Sequence, residues 1–211
     1  MRMMMIAAAL ALGGCATAVS DSLERRGVGS GAVLVERLDS ARTDMTAAAN
    51  NFAAAEAALD AVGSLDGPLL AQQSSAVRAA GQNAALSAQD LRLSLDSAKS
   101  AAVRYFRDQE DELELMGATD EGYRAASDAL SATRGAWRAY EAATESAALR
   151  LSPALSLYEA EASALRRSPT SGLAAAERAQ SRANAIAAVK DVRASLGVAV
   201  QAGDDLRTAL N

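Results

Sequence analysis

The stretch LVERLDSARTDMTAAANNFAAAEAALDAV, residues 34–62, decides the fold. Its apolar residues recur at alternating steps of four and three, the heptad spacing of a helix that buries one stripe against other helices. One column of the stripe holds large side chains and the other is mostly alanine, which suits close helix packing. The pattern predicts a helix over about 31–62. The stripe consists of Leu34, Leu38, Ala41, Met45, Ala48, Phe52, Ala55, Leu59 and Val62.

The same spacing predicts three further helices, over about 69–116, 120–167 and 173–210. In the second, the predicted stripe is Leu70, Val77, Ala84, Leu91, Ala98 and Tyr105, with Ala88, Leu95 and Ala102 beside it. In the third it is Tyr123, Ala126, Leu130, Thr133, Trp137, Tyr140, Thr144, Ala147, Leu151, Ala154 and Tyr158. In the fourth it is Ile186, Val189, Val192, Leu196, Ala199, Leu206 and Leu210.

Turn residues separate the four predicted helices. The first turn is 63–68, the second is 117–119 with Thr119 as a possible N-cap, and the third is 168–172. Pro153 falls inside the third predicted helix, and the heptad spacing continues across it. We therefore expect a kink there, the alternative being a new helix with Ser152 as its N-cap.

The predicted fold class is all-α: an elongated antiparallel four-helix, coiled-coil-like bundle with a projecting two-helix hairpin. By count, 54 residues are alanine, the best helix former, and no run alternates with the period of a strand. Short turns make neighbouring helices antiparallel. Because the second and third helices are the longest, their shared end, about residues 100–133, should extend past the other two as a hairpin with its tip at Gly117.

The composition excludes several classes of site. The chain has no histidine and one cysteine, which excludes Ser-His-Asp and Cys-His catalysis, His/Cys zinc sites and an intramolecular disulfide. The formal net charge of -5 argues against non-specific nucleic-acid binding. We predict no enzyme activity, no metal and no cofactor.

Residues 1–14 have the layout of an export signal. Arg2 precedes an apolar run from Met3 to Leu12 that spans only about 15 Å, half of a bilayer core. Leu12, Gly13, Gly14 and Cys15 then resemble the lipobox of bacterial lipoproteins. That resemblance implies cleavage between Gly14 and Cys15 and acylation of Cys15. Ala16, rather than aspartate, after the cysteine favours the periplasmic face of the outer membrane in the cell envelope.

This reading divides the chain into a signal peptide (1–14), a lipidated N-terminus and linker (15–30) and a helical bundle domain (31–211). The glycines within 27–31 look superficially like a phosphate-binding loop. However, no strand precedes them and no Gly-Lys-Ser/Thr follows, so a linker is the better interpretation.

Two side-chain groups have a structural and a functional interpretation. The acidic segment from Asp108 to Glu114 is either a solvated helix face or a site for a divalent cation or a basic partner. The aromatic residues of the third helix are either core or a stacking platform for a glycan or peptide, with core preferred. They are Tyr123, Trp137, Tyr140 and Tyr158.

Several stretches near the N-terminus resemble an uncharacterised family of Gram-negative lipoproteins of about this length, a domain of unknown function. They are 23–28, 34–38, Ala41-Arg42, Asn51-Phe52 and 64–67. Where that family has a basic pair after the Gly-Val, this chain has 29–31, Gly-Ser-Gly. The resemblance implies long helices and a lipid anchor and brings no established activity.

Three functions are compatible with these features. The first is a membrane-anchored periplasmic lipoprotein with a structural, scaffold or partner-binding role and an unknown protein partner in the envelope. The second is a carrier for a lipid or other apolar ligand, which would bind between helices that separate along their packed stripes. The third is an enzyme that uses carboxylates alone. It has little support, because Glu161, which continues the stripe of the third helix, is the one carboxylate in the seams, the lines where the stripes of neighbouring helices meet.

Overall fold

The chain forms four long helices, and the all-α bundle is confirmed. The computed structural model describes residues 29–62, 67–118, 122–167 and 173–210, and no strand occurs within them. The helices are α1 (Ser30–Ala61), α2 (Gly67–Met116), α3 (Tyr123–Arg167) and α4 (Leu173–Ala209). Their ends lie within three residues of the predicted ones. The turns at 63–66 and 168–172, and Thr119, lie outside the described residues.

The heptad stripe of α1 is its buried face. All nine predicted residues, from Leu34 to Val62, are at most 4% exposed. The same holds for most of the predicted stripes of α2 and α3, although the side chain of Leu70 lies outside the described set. The helix propensity of alanine alone does not stabilise such long helices. Most of their stability comes from burying this stripe against other helices.

The four helices pass through two compact units. Among the described residues, the first unit contains 29–41, 93–118, 122–138 and 204–210, and the second contains 42–62, 67–92, 139–167 and 173–203.

In the first unit, the contacts join each helix to the next and close a ring. Gly31 of α1 lies against Tyr105 of α2, and Phe106 of α2 contacts Trp137 of α3. The hydroxyl of Thr133 on α3 donates to the carbonyl of Ala209 on α4, at 3.1 Å. Two further residues, Arg207 of α4 and Asp39 of α1, form an ion pair at 2.9 Å that completes the ring.

In the second unit, α2 and α3 run antiparallel. The Tyr158 hydroxyl donates to the carbonyl of Val77 at 2.7 Å, and Arg92, further along α2, donates to the earlier residue Ser152 at 2.7 Å. On α1, Glu56 accepts from Arg193 of α4 at 2.5 Å and lies 3.5 Å from Lys190.

Pro153 lies inside α3, and the helix continues through it to Arg167. The alternative of a new helix beginning at Pro153 is therefore wrong. The flanking residues Leu151 and Ala154 are both buried, so packing of the seam holds the helix together where proline removes a backbone donor.

Seven predicted core positions are corrected. Five of them are stripe residues that are only half-buried: Tyr105, Tyr123, Ala126, Trp137 and Leu210. At the other two, a neighbouring residue is buried instead. In α4 the buried residue is Ala185, and Ile186 is only half-buried. In α2, Ser94 is buried where Leu95 was expected, and Leu95 is half-buried. The larger apolar side chain was favoured in both places. In α4, Ala185 keeps the alternating steps of four and three with Val189, and Ile186 does not.

Candidate functional site

The predicted lipidation site lies outside the described residues. Gly14 and Cys15, the signal 1–14 and the linker as far as residue 28 all fall there. Cleavage after Gly14 and acylation of Cys15 therefore remain predictions. No described helix combines the length and the apolar character needed to cross a bilayer.

The paired ends of α2 and α3 form a hairpin, which we define as residues 105–138. It turns at Gly117, whose φ of 74° lies in the left-handed region where glycine is unstrained. Gly31, next to the start of α1, lies against Tyr105, and Ala209, the end of α4, is bonded to Thr133. Within the described residues, no side chain from position 103 to position 129 is buried.

Aromatic and ionic contacts join the two helices of the hairpin. The Phe106 ring meets Tyr105 edge-on with centroids 5.2 Å apart, and Trp137 in the same manner at 6.4 Å. The guanidinium of Arg134 lies over the Phe106 ring, 5.6 Å from its centroid, and forms an ion pair with Glu110. These contacts fix the alignment of α2 against α3.

Tyr105 and Thr133 lie where α4 ends beside the hairpin. Burial raises the pKa of Tyr105, a hydrogen bond with Thr133 lowers it, and the charge of Glu112 raises it, with burial the largest effect. The Thr133 hydroxyl also lies 3.0 Å from the carbonyl oxygen of Ala129. Its bond to Ala209 satisfies one of the carbonyls that a helix end leaves without an intrahelical donor.

An open groove of about 910 Å³ runs along one face of the hairpin, and we call it the hairpin groove. Its α2 side carries three carboxylates and one arginine, Arg107, and its α3 side carries two arginines, with small and apolar residues completing the lining. The acidic edge consists of Glu110, Asp111 and Glu114, and the basic edge of Arg134 and Arg138. The remaining lining residues are Arg107, Leu113, Ser127, Leu130, Ser131 and Gly135. An edge of each charge suits recognition of a surface with the opposite pattern.

The acidic segment Asp108 to Glu114 is divided between faces of α2. Three of its carboxylates form the acidic edge, whereas Asp108 and Glu112 do not line the groove. Among the described residues, no three acidic side chains are placed to hold a metal ion. The basic edge, which lines the same groove as the acidic edge, comes from α3 and was not identified from the sequence.

The aromatic residues of α3 divide between core and hairpin. Tyr140 and Tyr158 are buried, which agrees with the core interpretation, whereas Tyr123 and Trp137 are half-buried. Burial raises the pKa of Tyr158 to about 12, and it also raises the pKa of Tyr140.

Both buried tyrosines lie against glycine. A β-carbon on Gly81 would be 2.6 Å from Cε1 of Tyr158, and one on Gly203 would be 3.2 Å from Cε2 of Tyr140. Sequence reasoning missed these pairs. Gly81 and Gly203 continue the heptad stripes of α2 and α4, and a glycine at a stripe position is the signal that could have revealed them.

Glu161 is buried in the seam of α3. It is 1% exposed, and neither carboxylate oxygen has a hydrogen-bond partner in the described part of the chain. A cleft of about 320 Å³ lies nearby in sequence, beside Gly81 and Tyr158 and lined also by Arg78, but Glu161 does not line it. The carboxylate is therefore enclosed in the packed interior and does not open into this cleft.

The comparisons with known proteins identify the family and no activity. No curated protein and no solved structure matches this chain. A family model described as a protein of unknown function (DUF2959) matches residues 20–202, which contain nearly all of α1 to α4 and the whole hairpin. Since that match spans most of the chain, the protein belongs to the DUF2959 family.

Proposed function

We propose that this protein is a lipid-anchored scaffold of the cell envelope whose hairpin binds a protein partner. The anchor is Cys15, acylated after cleavage of residues 1–14, and the location is the periplasmic face of the outer membrane. The helices position the hairpin, and the role is structural rather than enzymatic.

One contrast carries the proposal. The seams of the helices are filled by side chains such as Leu34, Phe52, Leu91 and Leu196, each at most 1% exposed. Between positions 103 and 129, by contrast, no described side chain is buried, and Leu115 is 88% exposed. A charged pair of helix ends without a buried side chain, in a protein whose helices are otherwise well packed, has the features expected of a protein-binding surface.

The anchor is tested by labelling growing cells with an alkyne-tagged fatty acid. We expect the label on the full chain and none on the Cys15→Ser variant, which should also keep residues 1–14. Absence of label on the parent protein, or recovery of the parent from the cytosol with residues 1–14 intact, would refute the lipoprotein assignment.

The role of the hairpin is tested by incorporating a photoreactive amino acid at Leu115 in intact cells. The matched control places it at Leu149 of α3, an apolar residue of the second unit that is 72% exposed. We expect crosslinked protein from position 115 and little from 149. Equal yields would show that the hairpin is not a preferred contact.

The alternative is a carrier for a lipid or other apolar ligand. It would require packed helices to separate and open a cavity between them. Mass spectrometry of the purified protein separates the two proposals, because a carrier should retain a non-covalent lipid in addition to the acyl chains on Cys15.

A further inference from the structure

We infer that the hairpin groove binds a helix of the protein partner, one that presents a carboxylate on its contact face and a basic group about two turns away. Since this helix belongs to the partner of the hairpin, the inference rests on the proposed function. The charges of the groove are sorted along its length as well as across it. The six charged lining residues are Arg107, Glu110, Asp111, Glu114, Arg134 and Arg138.

One ion pair marks the middle of the groove. Glu110 of α2 pairs with Arg134 of α3, so these two charges are satisfied within the chain. Arg107 lies one turn before Glu110 on α2, and Arg138 lies one turn after Arg134 on α3. Because the paired helices of the hairpin are antiparallel, both steps lead away from the tip at Gly117. The two arginines therefore line the same end of the groove, which we call the arginine end.

The like charges of the arginine end favour an anion there. Two guanidiniums cannot pair with each other, and neither Arg107 nor Arg138 forms an ion pair or hydrogen bond with a residue of the described helices. Both residues are exposed. A carboxylate over this end can accept from both guanidiniums, and charge-assisted hydrogen bonds of this kind are among the stronger ones.

The end of the groove near the hairpin tip has the opposite charge. Asp111 and Glu114 lie nearer the tip than the ion pair, and neither is paired with a cation within the described part of the chain. On α3, the lining at this end consists of Ser127 and Ser131, which carry no charge. Glu114 follows Arg107 by about two turns, or about 10 Å along α2. A partner that complements the groove therefore needs an acid and a base at that separation.

The walls of the groove favour a helix over an extended segment as the occupant. Because α2 and α3 use their backbone donors and acceptors within each helix, a strand between them would find no backbone partners, whereas a helix satisfies its own backbone. Ser131 and Gly135 lie one turn apart on α3, and a β-carbon on Gly135 would meet nothing within 4 Å. A second helix can therefore lie close to the backbone of α3.

The charged face of α2 is also clear of α1. At about 100° per residue, Arg107, Glu110 and Glu114 lie roughly opposite Tyr105, against which Gly31 packs. The start of α1 therefore leaves this side of α2 uncovered.

Synthetic helices test the inference on the full chain. Each probe is a stapled, fluorescently labelled, alanine-based peptide of about eighteen residues. The sorted peptide has two glutamates near one end of one face and two lysines near the other, whereas the mixed peptide has one of each at both ends. The two peptides have the same composition and net charge. In fluorescence anisotropy at low ionic strength, we expect the sorted peptide to bind at least about fivefold more tightly, and the difference to shrink as salt is added.

Charge reversal at one end, and then at both, tests the named residues. Arg107→Glu with Arg138→Glu makes both ends acidic, so the sorted peptide should bind at least about fivefold more weakly than it binds to the parent. Adding Asp111→Arg and Glu114→Arg exchanges the charges of the two ends. Binding of the sorted peptide should then return, because the peptide can lie the other way round. This recovery requires a folded groove, so it separates lost recognition from unfolding.

A control with Arg78→Glu and Arg150→Glu carries the same charge change as the first variant at exposed positions of the second unit and should bind like the parent. Equal binding of the sorted and mixed peptides to the parent overturns the inference, as does absence of binding or a four-residue variant that does not recover. Equally tight binding of an unstapled, proline-interrupted peptide with the same charges would overturn the helix in favour of an extended segment. A parent without a preference for the sorted peptide that still crosslinks a protein through Leu115 would leave the proposed function standing and remove the groove alone.

Discussion

At the scale of single residues, the contact between Tyr158 and Gly81 shows how closely two helices are packed. A glycine inside a helix is usually destabilising relative to alanine, by roughly 1 kcal/mol. Here the space that a β-carbon would need is taken by the tyrosine ring, at 2.6 Å. The glycine is therefore required by its neighbour on another helix rather than by the conformation of its own backbone.

Gly81→Ala should lower the free energy of unfolding by about 1–3 kcal/mol, because the ring must move out of a filled seam. Urea denaturation measures the change. The matched control is Gly197→Ala in α4, where a β-carbon meets nothing within 4 Å and a gain of about 0.5–1 kcal/mol is expected. Equal effects at the two glycines would contradict the close packing of Tyr158 on Gly81.

Replacing Glu161 by leucine should raise the free energy of unfolding by about 1–3 kcal/mol. The carboxylate is 1% exposed without a hydrogen-bond partner in the described residues, and an apolar side chain of similar size removes its desolvation cost. The exposed neighbour Glu159 offers the control, since Glu159→Leu should change stability by less than about 0.5 kcal/mol. A loss of stability in the Glu161 variant would mean that the carboxylate does have a partner.

Stability should fall at high pH because of the buried tyrosines. The pKa of Tyr158 is about 12 in the folded chain and about 10 in the unfolded one, so the folded chain keeps the proton to higher pH. The stability from this group is complete below about pH 10 and is lost as the pH rises through about 12. Tyr140 acts in the same direction.

The Tyr158→Phe variant isolates this effect. It loses the hydrogen bond to the Val77 carbonyl, which should cost about 1 kcal/mol near neutral pH. Above about pH 10 its free energy of unfolding should fall less steeply than that of the parent, because one titrating group is gone. Parallel curves for the two proteins, measured by urea unfolding from about pH 8 to about pH 11.5, would show that Tyr158 does not titrate with unfolding.

At the scale of the helices, α3 demonstrates that packing can override a local breaker. Pro153 lies in the interior of a 45-residue helix. It removes one backbone donor and crowds the preceding turn, yet the buried residues on either side of it keep the heptad spacing. Proline at this position therefore costs stability without dividing the helix.

The Pro153→Ala variant should be more stable than the parent by about 1–3 kcal/mol, because Pro153 is exposed and makes no contribution to the buried seam. Thermal unfolding followed by circular dichroism measures the gain. As a control, Ser156→Ala changes another exposed position of the same helix without restoring a backbone donor. A destabilised Pro153 variant would indicate that α3 needs the altered geometry at proline.

At the scale of the whole molecule, the hairpin and the filled seams have different roles. The seams contribute most of the buried apolar surface, whereas no described side chain of 103–129 is fully buried. Replacing residues 107–129 by a short glycine-containing turn should therefore leave a chain that still unfolds cooperatively in urea. Its helical circular dichroism signal should fall in proportion to the residues removed. Loss of the cooperative transition would show that the hairpin stabilises the fold.

The heptad spacing determined the four helices and most of their buried faces, because that information is local. A side chain four or three residues along a helix returns to the same face whatever lies opposite. The α1 stripe could therefore be identified from residues 34–62 alone. The excluded chemistries also followed from the sequence, since a chain without histidine cannot use it.

Only the tertiary structure decided which residues meet across helices. The placement of Tyr158 on Gly81, and of the basic edge beside the acidic one, depends on how far one helix is rotated and shifted along its neighbour. A repeating stripe allows several such alignments at similar cost, and side-chain packing selects one of them. The burial of Ala185 rather than Ile186 needed no such alignment, because the heptad steps back from Val189 already point to Ala185.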